Sequence, residues 1–308
     1  MMSDNSPYQL FCGWRGIDAT QQALACQFST LRQAAPHLFG AASPTDPVLL
    51  YKAWTDVLGE FPDYPAQQIG DCISFGHGHG DDLLQCIEIR VGLSNRSSDW
   101  GRMLYRETDT EFIYAASRQV ANILGSTYGS YGAAAVKAMT NIGMVSREML
   151  GSGGTYSGDR AKKWGQAGPP HDVELKAAPY KLGSAALVST WGDLVAALTN
   201  GYPVTICTSQ GFNLTRDLGG FCEAHGTWGH CMVIGALLFD RPGACILQSW
   251  GPDVPSGPAV LGQPSFSFWA EQQVIERILG EGDSWALSKA PAFMKRDLPP
   301  TWSYHSAA

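Results

Sequence analysis

The chain has no apolar run approaching the roughly 20 residues needed to span a bilayer as a helix; the longest useful one, residues 232–239, is strand-sized. A transmembrane helix is therefore not expected. Basic charge is also scarce, with 21 Lys and Arg against 28 Asp and Glu and a formal net charge of -7. That balance argues against general affinity for nucleic acid or anionic lipid, both of which need a basic surface. The eight cysteines (12, 26, 72, 86, 207, 222, 231 and 245) include no Cys-x-x-Cys pair and are too sparse over 308 residues for a disulfide-stapled scaffold. Most are expected as buried free thiols. Repeats, heptads and low-complexity tracts are missing. The opening Met-Met-Ser-Asp-Asn-Ser lacks the basic and apolar regions of a signal peptide, so a soluble protein kept in a cytoplasm, or packaged on a virus particle, is the expectation. Without a secretion signal, the glycosylation patterns at Asn95-Arg-Ser and Asn213-Leu-Thr carry no weight.

What is present is an ordinary globular composition: 44% hydrophobic, 16% charged, with 35 Gly and 18 Pro marking many turns. Residues 1–45 read as an N-terminal wrap with a Gly-Trp-Arg-Gly turn at 13–16 and a helix over 19–33. A helix over 47–58 ends at Gly59, and two prolines then extend 61–65. Leu83, Leu84, Ile87 and Val91 share one face of a helix covering about 81–89. A continuous helix from Cys72 would carry Gly76, Gly78 and Gly80 at about 1 kcal/mol each against Ala. It needs a reason, the obvious one being close approach of other backbone; a broken helix is the alternative.

Thr108-Asp-Thr-Glu111 predicts a capping box opening a helix with Phe112, Ile113, Ala116, Val120, Ile123 and Leu124 on its apolar stripe. A helix over 133–142 is stopped by Gly143. Residues 151–170 change to Gly, Ser, Lys and Pro, the composition of a linker or long surface loop. Residues 188–190 then cap a helix through Leu198, and strand candidates follow at 203–208, 231–238, 244–247, 265–268 and 284–287. A helical half followed by a strand-rich half predicts an α+β protein of two lobes across a cleft. The divisions expected are 1–60 bracing the first lobe, 61–150 as the helical lobe and 151–308 as the β-rich lobe.

The chemistry is expected at residues 67–76. Gly70-Asp71 forms a turn just before Cys72, where a helix can begin and its dipole lower the thiol pKa. Gln67 and Gln68 can offer an amide to an oxyanion formed when the sulfur attacks a carbonyl carbon. A thiol nucleophile needs a histidine and a group to orient it. His37, His171 and His305 lie in polar or irregular stretches. His230, in Thr-Trp-Gly-His-Cys-Met-Val-Ile-Gly, sits where a glycine loop enters an apolar strand, and Gln248-Ser-Trp-Gly251 follows the next strand, its amide able to accept from the imidazole.

These three stretches, in this order, resemble the papain-like cysteine peptidases. Gly-Ser-Tyr-Gly132, Gly143-Met-Val-Ser-Arg-Glu148 and Asn200-Gly-Tyr-Pro-Val-Thr205 fall where such peptidases carry comparable segments, so the likeness covers roughly 60–290. It implies a papain-like fold with the cysteine at a central helix start and the histidine in the strand-rich lobe. The implied activity is hydrolysis of peptide or isopeptide bonds in a polypeptide substrate, without a cofactor. Cys72 would be the nucleophile, His230 the general base and acid, and Gln248 the orienting residue. The oxyanion hole would use the Cys72 backbone N–H with Gln67 or Gln68. Asp71, Trp228, Gly229 and Trp250 would line the cleft. Three positions depart from the pattern: Gln248 stands where Asn is usual, Ala66 holds the usual glutamine position, and Ile73 replaces an aromatic residue. A weaker likeness points to papain-like sequences of phage or environmental origin.

Other readings stay open. His77 and His79 can ligate a metal at i, i+2, but only Asp81 and Asp82 stand near to complete a site, so helix packing or solvation is the preferred role. The run Cys222, His225, His230, Cys231 matches no common zinc spacing. Trp228 and Trp250 are either core residues or cleft walls that shield the histidine. A cell-wall amidase or transglutaminase-like enzyme, the latter with Asp240 as third member, shares the Cys-His logic. A papain-like fold kept as a non-catalytic structural or binding module, for example on a virion, is the alternative outside enzymes. Residues 1–45 can occlude a cleft or brace the first lobe.

Overall fold

The computed structural model describes residues 11–40, 45–92 and 104–303; Asn95-Arg-Ser and His305 lie outside them. Its strands form one antiparallel sheet: β1 (Val48–Leu49), β2 (Ser184–Leu187), β3 (Val204–Phe212), β4 (Ala224–Leu238), β5 (Gly243–Leu247), β6 (Ser267–Glu271) and β7 (Ser284–Ser288). The order is β2-β7-β3-β4-β5-β6, with β1 on β4. β3 and β4 pair with Val204 opposite Ile234 and Cys207 opposite Cys231. β4 is the longest strand, and its inner stretch 230–238 is buried throughout, as expected of a strand covered on both faces.

Against β4 and β3 lies a helix of 21 residues, Cys72–Gly92, the central helix. It runs unbroken through its three glycines because each faces something a side chain would strike. A Cβ at Gly76 would lie 2.6 Å from Cys231 Sγ and 3.1 Å from the Cys231 carbonyl carbon, and one at Gly80 would lie 2.9 Å from a methyl of Thr205. Gly78 meets Thr110 of the neighbouring helix Thr110–Val120 at 2.9 Å. Glycine here lets one helix approach a sheet on one side and a second helix on another, and that packing offsets its poor helix propensity.

One large core joins residues from both ends of the chain, including Leu31, Trp54, Leu84, Val136, Ile234 and Trp285. A smaller cluster of Phe112, Ala116, Ala138, Val145, Val173 and Ala177 lies under the helix Thr110–Val120.

Several local expectations shift. The expected helix over 19–33 is two short pieces, Ala19–Ala25 and Leu31–Ala34, the second begun by a complete Thr30–Gln33 capping box. Residues 48–49 form an edge strand before the helix Lys52–Leu58. The cap of Thr110–Val120 is Asp109, whose carboxylate accepts from Phe112 N–H at 2.8 Å. Gly143 ends Gly132–Asn141 as expected, at φ 114.

The stretch read as a linker, 151–170, instead contains the helix Gly158–Ala167. Its buried positions, Gly158, Ala161 and Gly165, recur at helical spacing but are small, and ion pairs add to the hold. Arg147 pairs with Glu107 at 2.6 Å, Glu111 at 3.0 Å and Asp109 at 3.2 Å, while Arg160 pairs with Glu111 at 2.5 Å. Helices at His171–Ala177 and Gln272–Gly280 were not expected. Among the described residues no helix is long and apolar enough to cross a membrane.

Candidate active site

Cys72 is the first residue of the central helix and is fully buried. What covers it is the chain's own segment 11–15. Gly13 N–H donates to Cys72 Sγ at 3.1 Å, and the Cys72 thiol lies 3.8 Å from the carbonyl oxygen of Gly229. Trp14 N–H donates to that same oxygen at 3.0 Å; Ser130 N–H donates to Gly13 O at 2.9 Å, and Arg15 N–H to Ser130 O at 3.1 Å. The Trp14 indole N–H reaches the buried carboxylate of Asp283 at 2.9 Å. Gly13 must be glycine at this place, since a Cβ would collide with the Gly70 carbonyl. The segment thus lies extended between the 67–72 turn, the 129–132 loop and β4, bonded by its backbone on both sides.

Burial reverses the expected effect of the helix dipole on the thiol. Loss of water pushes Cys72 well above the ordinary thiol range, and the thiols of Cys231 and Cys12 add to it; the bond from Gly13 N–H acts the other way. Desolvation outweighs the dipole here because the strap excludes water and no cation touches the sulfur.

Gln67 has its amide N–H groups on Phe11 O at 2.6 Å and Ile69 O at 2.8 Å, and its oxygen accepts from Ser249 Oγ at 2.5 Å. A peptide carbonyl therefore rests on the Gln67 amide two residues before the N–H that meets Cys72. Gln68 points elsewhere: it is exposed, and its amide oxygen accepts from Gly158 N–H at 3.0 Å. Asp71 accepts from the Tyr156 hydroxyl at 2.9 Å and is fully buried, which raises its pKa well above the usual range. Its backbone carbonyl accepts from Ser74 N–H, starting the helix.

His230 and Gln248 lie near this groove but are not joined to Cys72 or to each other. The His230 ring is stacked on Trp250 with centroids 4.3 Å apart, Trp228 meets Trp250 edge-on at 4.7 Å, and both His230 nitrogens lack a hydrogen-bond partner. Strand alternation explains the direction: Cys231 points to the central helix, so His230 takes the other face. Burial holds the imidazole neutral, its pKa lowered to about 3. The expected Gln248 to His230 bond is not formed. Gln248 turns its amide into its own loop instead, donating to Gly251 O at 3.1 Å and to Val254 O while accepting from Trp250 N–H. Such a local turn satisfies a buried amide without any long-range partner.

The two histidines of the central helix pack. His77 Nδ1 lies 2.8 Å from Ile73 O, and His79 stacks on Tyr64 at 3.7 Å with its pKa lowered to about 3 by burial. His79 is thus a packing group rather than a solvated one. Among the described residues no three metal-ligating side chains converge. Sequence reasoning missed Gly13, Trp14, Ser130, Ser249 and Asp283. The first two lie in the Gly-Trp-Arg-Gly run at 13–16, which reads as a plain turn, within the stretch 1–45 for which covering a cleft is one of two readings.

Neither a family model nor a curated protein sequence matches the chain. Solved structures do. It is similar to xylellain, a cysteine protease from Xylella fastidiosa, with TM-score 0.60 and 15% identity over 92% of this chain and 97% of that one. Procathepsin B S9 from Trypanosoma congolense matches with TM-score 0.58 and 10% identity over 93% and 89% of the two chains. The proform of the ragweed pollen cysteine protease Amb a 11 gives 0.53 and 12% over 93% and 77%. The chain has the α+β fold of papain-like cysteine proteases.

Proposed function

We propose that the protein is a cysteine peptidase that hydrolyses peptide or isopeptide bonds in a polypeptide through Cys72, held latent by its own segment 11–15. The observation that carries this is the seat of that segment. An extended peptide lies across Cys72 with one carbonyl on the Gln67 amide and backbone bonds to Ser130 and Gly229, the contacts a substrate would need.

When the strap leaves, His230 takes the thiol proton and the thiolate attacks the scissile carbonyl carbon. The Gln67 amide and the Cys72 N–H hold the oxyanion, and the imidazolium then protonates the leaving amine. Water cleaves the thioester, returning the proton. Ser249, bonded to the Gln67 oxygen, fixes the direction of that amide. The mechanism requires His230 to leave its stack on Trp250 and come within reach of Sγ. Gln248 has no bond in this arrangement that would orient it.

The unjoined Cys72 and His230 favour a second reading, a non-catalytic papain-like module. The two are separated by incubating the full chain and its Trp14→Ala variant with an unfolded protein substrate and, in parallel, with purified peptidoglycan. The peptidase reading expects cleavage of the protein that rises in Trp14→Ala and vanishes in Cys72→Ala and His230→Ala. Cleavage of peptidoglycan alone would move the assignment to a cell-wall amidase. Inert protein in every arm, with Cys72 unreactive toward an epoxide even in Trp14→Ala, would leave the non-catalytic module.

A further inference from the structure

On the far side of β4 from His230, a second pair of sulfur atoms stands outside the proposed mechanism. Cys207 and Cys231 are directly opposed in the β3–β4 ladder, and their sulfurs are 3.0 Å apart with Cys207 S–H donating. Both are buried, and both are free thiols. We infer that Cys207 and Cys231 form an oxidisable dithiol, a modification site at which a hydroperoxide makes a cross-strand disulfide beneath the helix turn that follows Cys72.

Three features of the surroundings support this. The sulfurs need to approach by only about 1 Å to reach bonding distance, and their strand positions already face each other. Space at Cys231 is provided by Gly76, where any Cβ would lie 2.6 Å from the sulfur. An ionisable ring stands alongside: the His77 Nδ1–H that donates to Ile73 O at 2.8 Å is 3.8 Å from Cys231 Sγ, and His77 Nε2 is 3.3 Å from Thr205 Oγ1. Burial raises the Cys231 pKa, but the hydrogen bond from Cys207 and the neighbouring His77 bring it below the ordinary range, to about 7. That shift favours the thiolate, the reactive form.

The chemistry balances with hydrogen peroxide as oxidant. The Cys231 thiolate attacks one peroxide oxygen, the O–O bond breaks, and the departing hydroxide takes the proton held by His77 to leave as water. The product is a sulfenic acid on Cys231. Cys207 sulfur then attacks the Cys231 sulfur, the S–S bond forms, and the S–OH bond breaks; hydroxide departs with the Cys207 proton as a second water. Two thiols are oxidised by two electrons and one peroxide is reduced. The bond would tie β3 to β4 one residue from His230 and one helical turn from Cys72.

The test treats the full-length folded protein with a few equivalents of hydrogen peroxide at neutral pH, with circular dichroism monitoring the fold. Acid quenching, alkylation in denaturant, digestion and mass spectrometry follow. A linked peptide joining Cys207 to Cys231, 2 Da lighter than the two thiol peptides together and released by dithiothreitol, is expected as the main product. It should disappear in Cys207→Ala and in Cys231→Ala. In His77→Gln it should form about fivefold more slowly, the change in thiolate fraction at pH 7 for a rise of about one pKa unit. The inference is overturned if Cys207 and Cys231 are both recovered alkylated while Cys26 or Cys12 is oxidised. It is equally overturned if Cys231 ends as sulfinic acid without a link, or if linkage appears only after the fold is lost. An unchanged rate in His77→Gln would overturn the role given to that histidine.

Discussion

Replacing Trp14 by alanine should expose Cys72 without unfolding the protein. The substitution deletes the indole bond to Asp283 and most of the packing of a half-buried ring. A hydrogen bond to a buried carboxyl group contributes about 1 to 3 kcal/mol, and the lost ring burial adds about 1 kcal/mol at the usual apolar coefficient. About 2 to 4 kcal/mol of strap docking corresponds to roughly 30- to 1000-fold in the population with the strap lifted. Asp283 is not orphaned, because Gly132 N–H at 2.9 Å and the Trp285 indole at 2.6 Å still donate to it. The global melting temperature should therefore move little.

The assay is iodoacetamide labelling in native buffer, read by peptide mapping, with exposed Cys26 as internal standard. When opening is fast relative to labelling, the Cys72 rate follows the open population. Trp14→Phe, which keeps a ring but not the N–H, should fall between wild type and Trp14→Ala. If Cys72 labels equally slowly in all three, the strap does not gate it. If it labels as fast as Cys26 in the wild type, the covered thiol is not the solution state.

Other consequences can be checked on the purified chain. Gly76→Ala should lower unfolding free energy by about 1 to 3 kcal/mol through overpacking against Cys231, whereas Gly92→Ala, with nothing within 4 Å of the new methyl, should be neutral or slightly stabilising. Urea titration of both variants checks this, and equal effects would refute the close-approach account. Arg147→Met should cost about 3 kcal/mol, since it leaves the buried carboxylates of Asp109 and Glu111 with Arg160 as their one remaining ion-pair partner among the described residues; a loss under 1 kcal/mol by denaturant melts would contradict it. Stability should also fall in alkali. Burial raises the thiols of Cys72, Cys86 and Cys245 above their unfolded value, so the contribution is complete below about pH 9 and is lost as pH rises beyond it. Each of these thiols contributes about 1.4 kcal/mol of that loss per pH unit, and a melting temperature flat from pH 8 to 10.5 would refute the assignment.

The central helix was legible because its constraint is written locally. Three glycines at i, i+2, i+4 inside a helical pattern already imply close neighbours, and only their identity, Cys231, Thr110 and Thr205, required coordinates. The strands from Val204 onward were legible for the same reason, through β-branched runs between turns. The helix Gly158–Ala167 was hidden because its buried positions, Gly158, Ala161 and Gly165, are small and give a faint period, while its ion pair runs from Arg160 to Glu111, 49 positions upstream. Gln248 misled in another way. Its place after a strand and before Ser-Trp-Gly is what the resemblance requires, yet a longer amide can satisfy itself on carbonyls three and six residues ahead. The strap was legible only as one of two readings of residues 1–45, and its seat was not, because its partners, Cys72, Ser130, Gly229 and Asp283, are scattered over the chain.

Under the proposed reading, the strap does more than block entry. Burial raises the Cys72 pKa and, among Trp228 and Trp250, separately lowers that of His230. Proton transfer from thiol to imidazole is then opposed from both ends, and at the Cys72 end for as long as the segment stays. Lifting it admits water beside the sulfur, which removes the desolvation penalty on the thiolate. Access and ionisation are thus released by a single movement. The residue whose side chain anchors that movement is Trp14, on a carboxylate that the β7 end of the chain supplies.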